Sequence, residues 1–210
     1  IFVRIEIPGF VAALIDRLKS FGEEAYIVGG GLRDSLLGKT PSDYDMTTSA
    51  LPERMIEIFS DFRVIKTGLK HGTLTVLSDG RPVEITTFRI DGGYTDSRHP
   101  DSVSFTRCLS EDLARRDFTV NAMAYSERVG LVDDFRGTRD LQDRIIRAVG
   151  EPHRRFSEDA LRIMRAFRFS AQLGFKIEEK TLAAASECKE GLSNIARERI
   201  FSELLKLLHS

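Results

Sequence analysis

The sequence predicts an α+β protein, with a mixed sheet in its first part and an all-helical second part. Three observations carry that prediction. Residues 73–88 alternate apolar and polar about an Asp79-Gly80 pair, the pattern of a β-hairpin. Ala25-Tyr26-Ile27-Val28 is a short run of β-formers that stops at three glycines and leads into Leu32 to Leu37, a short helix closed by Gly38. From Ser157 to His209 nearly everything fits a helical pattern, with breaks around Gly174 and near Gly191.

The remaining elements follow in chain order. Val11, Leu14, Ile15 and Leu18 recur at helical spacing between Pro8-Gly9 and Gly22, which predicts a first helix with one face toward a core. Tyr44 to Thr48 reads as a second strand, and Pro52 suits the first turn of a helix over Glu53 to Phe59. Ile90 to Ser104 is rich in Gly, Asp, Ser and Pro without an apolar period, so it reads as a loop of functional length. Helical signals resume after Asp112. A boundary in sequence near residue 150 separates a sheet-containing part, residues 1–150, from a helical part, residues 151–210.

With 210 residues there is material for one large domain or two small ones. The 41% hydrophobic and 30% charged residues exclude a disordered chain. Because 31 basic and 32 acidic side chains leave a net charge of -1, no overall field advertises a nucleic acid or a membrane, and any such partner must meet a local patch. Cys108 and Cys188 form no CxxC pair, which argues against a disulfide framework or zinc site and for a reducing, cytoplasmic setting. No stretch approaches the ~20 apolar residues of a membrane span, so no membrane partner is expected. The chain opens on Ile1 rather than Met and closes on a helical run, and it reads as a fragment of something longer.

Chemistry first shows at Asp43 and Asp45. Side chains at i and i+2 of a strand share a face, and two carboxylates sharing a site call for a cation, for which hard oxygen ligands suit Mg²⁺. An isolated Asp-x-Asp is usually a solvated strand face, but here Gly29-Gly30 precedes it at the end of a strand and the start of a helix. Glycines there let backbone N–H groups approach a phosphate closely, and Arg33 on the same turn can reach it. Gly29 to Asp34 lacks the last glycine of a GxGxxG fingerprint, and no GxxxxGK[ST] occurs.

Together, Val28 to Gly38 followed by Ser42-Asp43-Tyr44-Asp45 resembles the first motif of the class II tRNA nucleotidyltransferase and bacterial poly(A) polymerase family. The resemblance continues through Glu111 to Ala124, the second motif, and Arg155 to Phe169, the nucleotide-selecting motif, and ends in a similar stretch from Arg197 to Leu204. It implies a polymerase-beta-like nucleotidyltransferase head over residues 1–150 and a helical neck over residues 151–210, with body and tail regions beyond this chain. It also implies template-independent addition of C and A from CTP and ATP to a tRNA 3′ end, with Mg²⁺ and release of pyrophosphate.

Physical reasons accompany each carried-over role. Asp43 and Asp45 anchor metal ions that neutralise the attacking and leaving oxygens. Glu84, between Val83 and Ile85, faces the same side if those two face the core. Ala160, Met164, Phe167 and Ala171 are expected to form the packed stripe of a helix from Glu158, with Glu158, Arg162 and Arg165 on its binding side. Asp159 accepting from an exocyclic amine while Arg162 donates to the adjacent ring nitrogen would take cytosine and adenine and reject uracil and guanine. An exposed i,i+3 salt bridge is the bland reading of that pair. Arg165 is assigned to the triphosphate, and the arginine excess of residues 147–168 to phosphate binding. The resemblance assigns Arg116, Asp117 and Asn121 to the ribose, and Asp91 to Pro100 to a flexible loop that is shortened in CC-adding enzymes. Gly31-Leu32 departs from the family pattern, and the extra glycine is expected to loosen the turn.

Alternatives are an A-adding enzyme, a poly(A) polymerase and an inactive RNA-binding module. The last would be expected to have lost Asp43, Asp45 or Glu84. The absence of a His-Asp pair argues against a metal-dependent phosphohydrolase, since His71, His99, His153 and His209 are followed by Gly, Pro, Arg and Ser.

Overall fold

Short β-forming runs separated by helical ones fold here as a sheet with helices against it, followed by a helical array. The computed structural model describes residues 5–92 and 103–209. Contacts divide the chain into two compact units that interleave in sequence: the first is Ile1–Ile90, Ser104–Leu113 and Met123–Asp134, the second Asp91–Val103, Ala114–Ala122 and Phe135–Ser210.

In the first unit the chain runs through α1 (Gly9–Ser20), β1 (Ala25–Val28), α2 (Gly29–Leu36), β2 (Asp45–Thr48), α3 (Pro52–Ile58), β3 (Arg63–Ile65), a 3-10 turn at Leu69–His71, β4 (Thr73–Ser78) and β5 (Arg81–Thr87). The short strands β6 (Arg89–Asp91) and β7 (Val103–Phe105) and helix α4 (Leu109–Ala114), each with one end residue in the second unit, come next, and β8 (Ala124–Ser126) and β9 (Gly130–Val132) complete the first unit. Seven strands form one sheet in the order β3-β4-β5-β2-β1-β8-β9. The β2–β5 pair is parallel and the others are antiparallel, which is the mixed sheet expected. Asp79 and Gly80 both have positive φ, as the tight β4–β5 hairpin turn requires. One sheet face is apolar: Leu74, Val76, Val83 and Ile85 are fully buried, and α1 and α3 cover β4 with Leu14, Leu18, Met55 and Ile58. Each such side chain removed from water contributes about 1.5–3 kcal/mol. The opposite face carries the polar residues of the alternation.

The second unit contains a 3-10 turn (Thr119–Asn121), α5 (Gly137–Asp143), β10 (Ile145–Ile146), α6 (Pro152–Glu158), α7 (Leu161–Leu173), β11 (Lys176–Ile177), α8 (Glu179–Glu187), a 3-10 segment (Lys189–Asn194) and α9 (Arg197–Leu208). Its helices pack α6 on α8 and α7 on α9. Phe118 meets Phe169 edge-on at 5.8 Å between ring centres, among buried Phe156, Ile163 and Ala166.

Three expectations are corrected. The helical run starts at Pro152 and breaks at Asp159, whose backbone is extended (φ -147, ψ 103) and whose carboxylate accepts from the Leu161 N–H at 3.1 Å. That local hydrogen bond competes with a continuous helix and starts α7 anew. The packed stripe of α7 is Leu161, Ile163, Ala166 and Phe169 with Arg168, whereas Phe167 is 46% exposed, Ala171 is exposed and Met164 is half-buried. The face was misplaced because Arg168 is buried by an ion pair. A parallel pair, Ile145–Lys176 and Ile146–Ile177, also interrupts the helical part.

Candidate active site

Alternation places the acids of the first unit. Asp43 and Asp45 are exposed while Tyr44 and Met46 between and beyond them are buried, so both aspartates lie on the polar face of the sheet. Tyr44 is held edge-on against Phe10, 6.0 Å between ring centres. Across the parallel β2–β5 pair Asp45 stands in register with Glu84, itself exposed between buried Val83 and Ile85. Three carboxylates therefore share one face, two of them on neighbouring strands.

The glycine segment borders this face. Val28, the last residue of β1, is in register with Asp45, and α2 begins at the next residue. Gly29 has φ +70, a conformation side chains other than glycine rarely adopt. Gly31 does not loosen the turn as expected. A Cβ built there would stand 2.6 Å from the Asp43 carbonyl oxygen, so the bare backbone allows α2 to lie against the aspartate segment. Arg33 is buried and ion-paired to Asp34 at 2.8 Å. A supporting residue that carried no role in the sequence reading is Asp112. It is fully buried and accepts from the Thr47 hydroxyl at 3.1 Å and the Arg89 N–H at 3.3 Å, tying α4 to β2. Thr47 continues the i+2 series of Asp43 and Asp45.

Among the described residues no group of three or more His, Cys, Asp or Glu side chains is gathered closely enough to cage a metal ion. Mg²⁺ usually takes one or two carboxylates and completes its shell with water and substrate phosphates, so the exposed oxygen donors of Asp43 and Asp45 suit it.

In the second unit the structure brings together Asp117, Asn121 and Arg165. One oxygen of buried Asp117 accepts from Arg165 Nε and Nη2 at 2.8 and 2.6 Å, and the other from the Phe118 N–H at 2.8 Å and Asn121 Nδ2 at 3.3 Å. Burial alone would raise the Asp117 carboxyl pKa, but the Arg165 guanidinium, its hydrogen bonds, Arg162 and the Phe118 N–H hold it below the usual carboxylate value. Arg116 beside it is half-buried. The sign of the pH effect follows: a depressed carboxyl stabilises the fold above its unfolded pKa, and that contribution is lost as pH falls through the folded value. Thermal melts from about pH 5 down to about pH 2 should show Asp117→Asn less stable than the parent at the upper end and converging on it at the lower end. A constant gap would disprove the linkage.

Asp159 and Arg162 are not paired with each other. Arg199 of α9 grips Asp159 at 2.8 and 3.3 Å. Arg162 donates to Glu158 at 2.7 Å and to the carbonyls of Arg155 and Arg115 at 3.1 and 3.2 Å, which fixes its guanidinium plane. The bland i,i+3 bridge is therefore absent. The arginine excess of residues 147–168 is also neutralised: Arg147 pairs with Asp140 and Glu178, Arg154, Arg155 and Arg162 with Glu158, Arg165 with Asp117, and Arg168 with Glu203. Those pairs balance the local positive charge that the sequence alone leaves unpartnered. Of the loop Asp91 to Pro100, residues 93–100 lie outside the described residues.

Residues 25–147 match the family model described as "Poly A polymerase head domain". The chain belongs to that family. Residues 174–210 match a second model, "Probable RNA and SrmB-binding site of polymerase A". The chain is similar to the CCA-adding enzyme of Streptococcus gordonii, 50% identical over 195 residues that make up 93% of this chain and 48% of that protein. It is equally close to the enzyme of Enterococcus faecalis, 50% identical over 94% of this chain and 48% of that one. Among solved structures, Bacillus stearothermophilus CCA-adding enzyme in complex with CTP matches with a TM-score of 0.88 and 45% identity, over 97% of this chain and 49% of that chain. Thermotoga maritima CCA-adding enzyme complexed with tRNA-CCA matches with a TM-score of 0.78 and 27% identity, over 96% and 48%. This chain thus spans about half the length of the relatives it matches. The fold is that of the CCA-adding enzyme head, a polymerase-beta-like nucleotidyltransferase, with helices following. Nucleotidyltransferases of this family generally use divalent metal ions.

Proposed function

We propose that the protein carrying this chain adds C and A from CTP and ATP to the 3′ end of tRNA by metal-assisted nucleotidyl transfer. The observation that carries this reading is the shared polar face of Asp43, Asp45 and Glu84 beside the start of α2, in a chain 50% identical to CCA-adding enzymes. Asp43 and Asp45 would hold Mg²⁺, which when bound supplies charge neutralisation at the attacking and leaving oxygens. Glu84, in register with Asp45, orients the acceptor hydroxyl from the neighbouring strand. Gly29 and Gly30 let backbone N–H groups approach the triphosphate, with Arg33 behind them.

In the helical unit, Asp159 and Arg162 read the base edge, accepting from the amine and donating to the ring nitrogen that cytosine and adenine share. Asp117, Asn121 and Arg116 bind the ribose, and Arg165, hydrogen-bonded to Asp117, is assigned to the triphosphate. Residues 1–150 act as head and 151–210 as neck. The two cysteines are free, which fits a cytoplasmic setting. Among the described residues no helix is long and apolar enough to cross a membrane.

The deciding experiment gives the full-length protein tRNA lacking CCA, tRNA ending in CC and an unstructured RNA, with CTP, ATP or both. Addition of CCA followed by a stop is the expected result. Action on the CC-ended tRNA alone would mean an A-adding enzyme, a long adenylate ladder on the unstructured RNA a poly(A) polymerase, and no incorporation an RNA-binding module. Asp159→Ala should reduce preference for CTP and ATP over UTP and GTP by about tenfold or more, since each paired base edge contributes roughly 1–3 kcal/mol of discrimination. Single-turnover incorporation of each nucleotide reads it, and an unchanged ratio removes Asp159 from base reading.

A further inference from the structure

We propose that the outer edge of the sheet at β3, with Arg63 on that strand and Lys66 and Lys70 in the turn that follows it, binds backbone phosphates of the RNA strand whose 3′ end is extended. The inference rests on the nucleotidyl-transfer reading above. Residues 62–78 contain Arg63, Lys66, Lys70 and His71 and no acid, in a chain whose overall charge is -1. All four are exposed. Among the described residues, Arg63, Lys66 and Lys70 make no ion pair, whereas the arginines at 147, 155, 162, 165 and 168 are each held by a carboxylate.

Position supplies the second argument. Strand register runs Asp45–Glu84–Thr75–Ile65 in one row across β2, β5, β4 and β3. With strands about 4.8 Å apart, β3 lies about 10 Å from the strand of Glu84. Arg63 and Ile65 are both exposed and two residues apart, so Arg63 projects from the carboxylate face. The ground between them is uncharged: Thr73, Thr75 and Thr86 are half-buried, and the Thr73 and Thr86 hydroxyls are hydrogen-bonded at 2.9 Å. Gly29 and Asp45 lie on the β1–β2 side of β5, away from this edge. A strand whose 3′ hydroxyl sits at Glu84 meets this edge when it runs over β4 toward β3. Edge strands also carry charge merely to prevent pairing with other sheets, a purpose either sign serves; Arg63 on the carboxylate face, followed by two further exposed cations and no acid as far as residue 78, is what a polyanion selects.

The test uses the full-length protein with Arg63→Ala/Lys66→Ala/Lys70→Ala and, as charge-retaining control, Lys66→Arg/Lys70→Arg. Steady-state KM is measured for CC-ended tRNA and for ATP at several salt concentrations. The triple variant should raise KM for RNA about tenfold, leave kcat and KM for ATP unchanged, and lower the slope of log affinity against log salt by about two to three, while the arginine variant behaves as the parent. Unchanged RNA KM and slope, with or without new self-association of the triple variant, would overturn the proposal. Fluorescence anisotropy of labelled RNA on the same proteins reads the surface directly. If the parent incorporates nothing, the transfer reading fails by itself, and the anisotropy salt slopes still decide this surface.

Discussion

Asp45→Asn is expected to lower nucleotide incorporation at least about a thousandfold while leaving the fold intact, and Asp43→Asn to do the same. A factor of a thousand corresponds to about 4 kcal/mol of transition-state stabilisation. The change is isosteric and removes one of the charges that would hold a cation, so a bound metal loses its anchor while the strand keeps its shape. Both aspartates are exposed, and the core contacts of β2 are made by Met46 on the opposite face. Stability should therefore move by no more than about 0.5 kcal/mol. Relief of repulsion between acids on one face could even raise it. Single-turnover extension of CC-ended tRNA alongside a thermal melt checks both halves. Parental activity in either variant would end the metal assignment, and a large loss of stability would mean that these acids are structural.

Glu203→Ala should destabilise the helical unit by about 3–5 kcal/mol, the cost of leaving a buried charge without its partner. Glu203 is the one buried side chain of α9; Phe201 is 60% and Leu208 71% exposed. Its carboxylate accepts from Arg168 Nε at 2.6 Å and lies 3.8 Å from Arg165 and 3.5 Å from Lys206. Burial pushes the Arg168 pKa below its ordinary value even with Glu203 beside it. Without that carboxylate Arg168 stays desolvated, and α9 loses its fixed point on α7. Chemical denaturation measures the loss. Adding Arg168→Met to Glu203→Ala should recover part of it, because the stranded charge is then gone. A loss below about 1 kcal/mol in the single variant would show that α9 is held by something else.

These two sites mark where the sequence was readable and where it was not. Period-two alternation placed Asp43, Asp45 and Glu84 on one face because the apolar residues between them have only one core to enter. The Asp79-Gly80 turn and the Val11, Leu14, Ile15, Leu18 stripe were legible for the same reason: local chemistry and burial agree. They disagree in α7. Arg168 is buried because Glu203, 35 positions later, neutralises it, and no window along the chain reveals such a partner. The same blindness made the arginines of residues 147–168 read as an excess, since Asp117, Asp140, Glu178 and Glu203 come from elsewhere in the fold. The break at Asp159 carries neither Gly nor Pro, and a side-chain hydrogen bond makes it.

The chain passes from one unit to the other after residues 90, 103, 113, 122 and 134. No single cut separates them. A chimaera grafted at residue 151 would leave behind β10, which pairs with β11, as well as Arg147, which salt-bridges Glu178 at 2.6 Å, and the Ala148 N–H that donates to the Thr181 hydroxyl. A transplantable helical module of this protein must carry residues 135–210 and bring its own counterparts of 91–103 and 114–122, so recombination between relatives is confined to exchanges that move all of these pieces together.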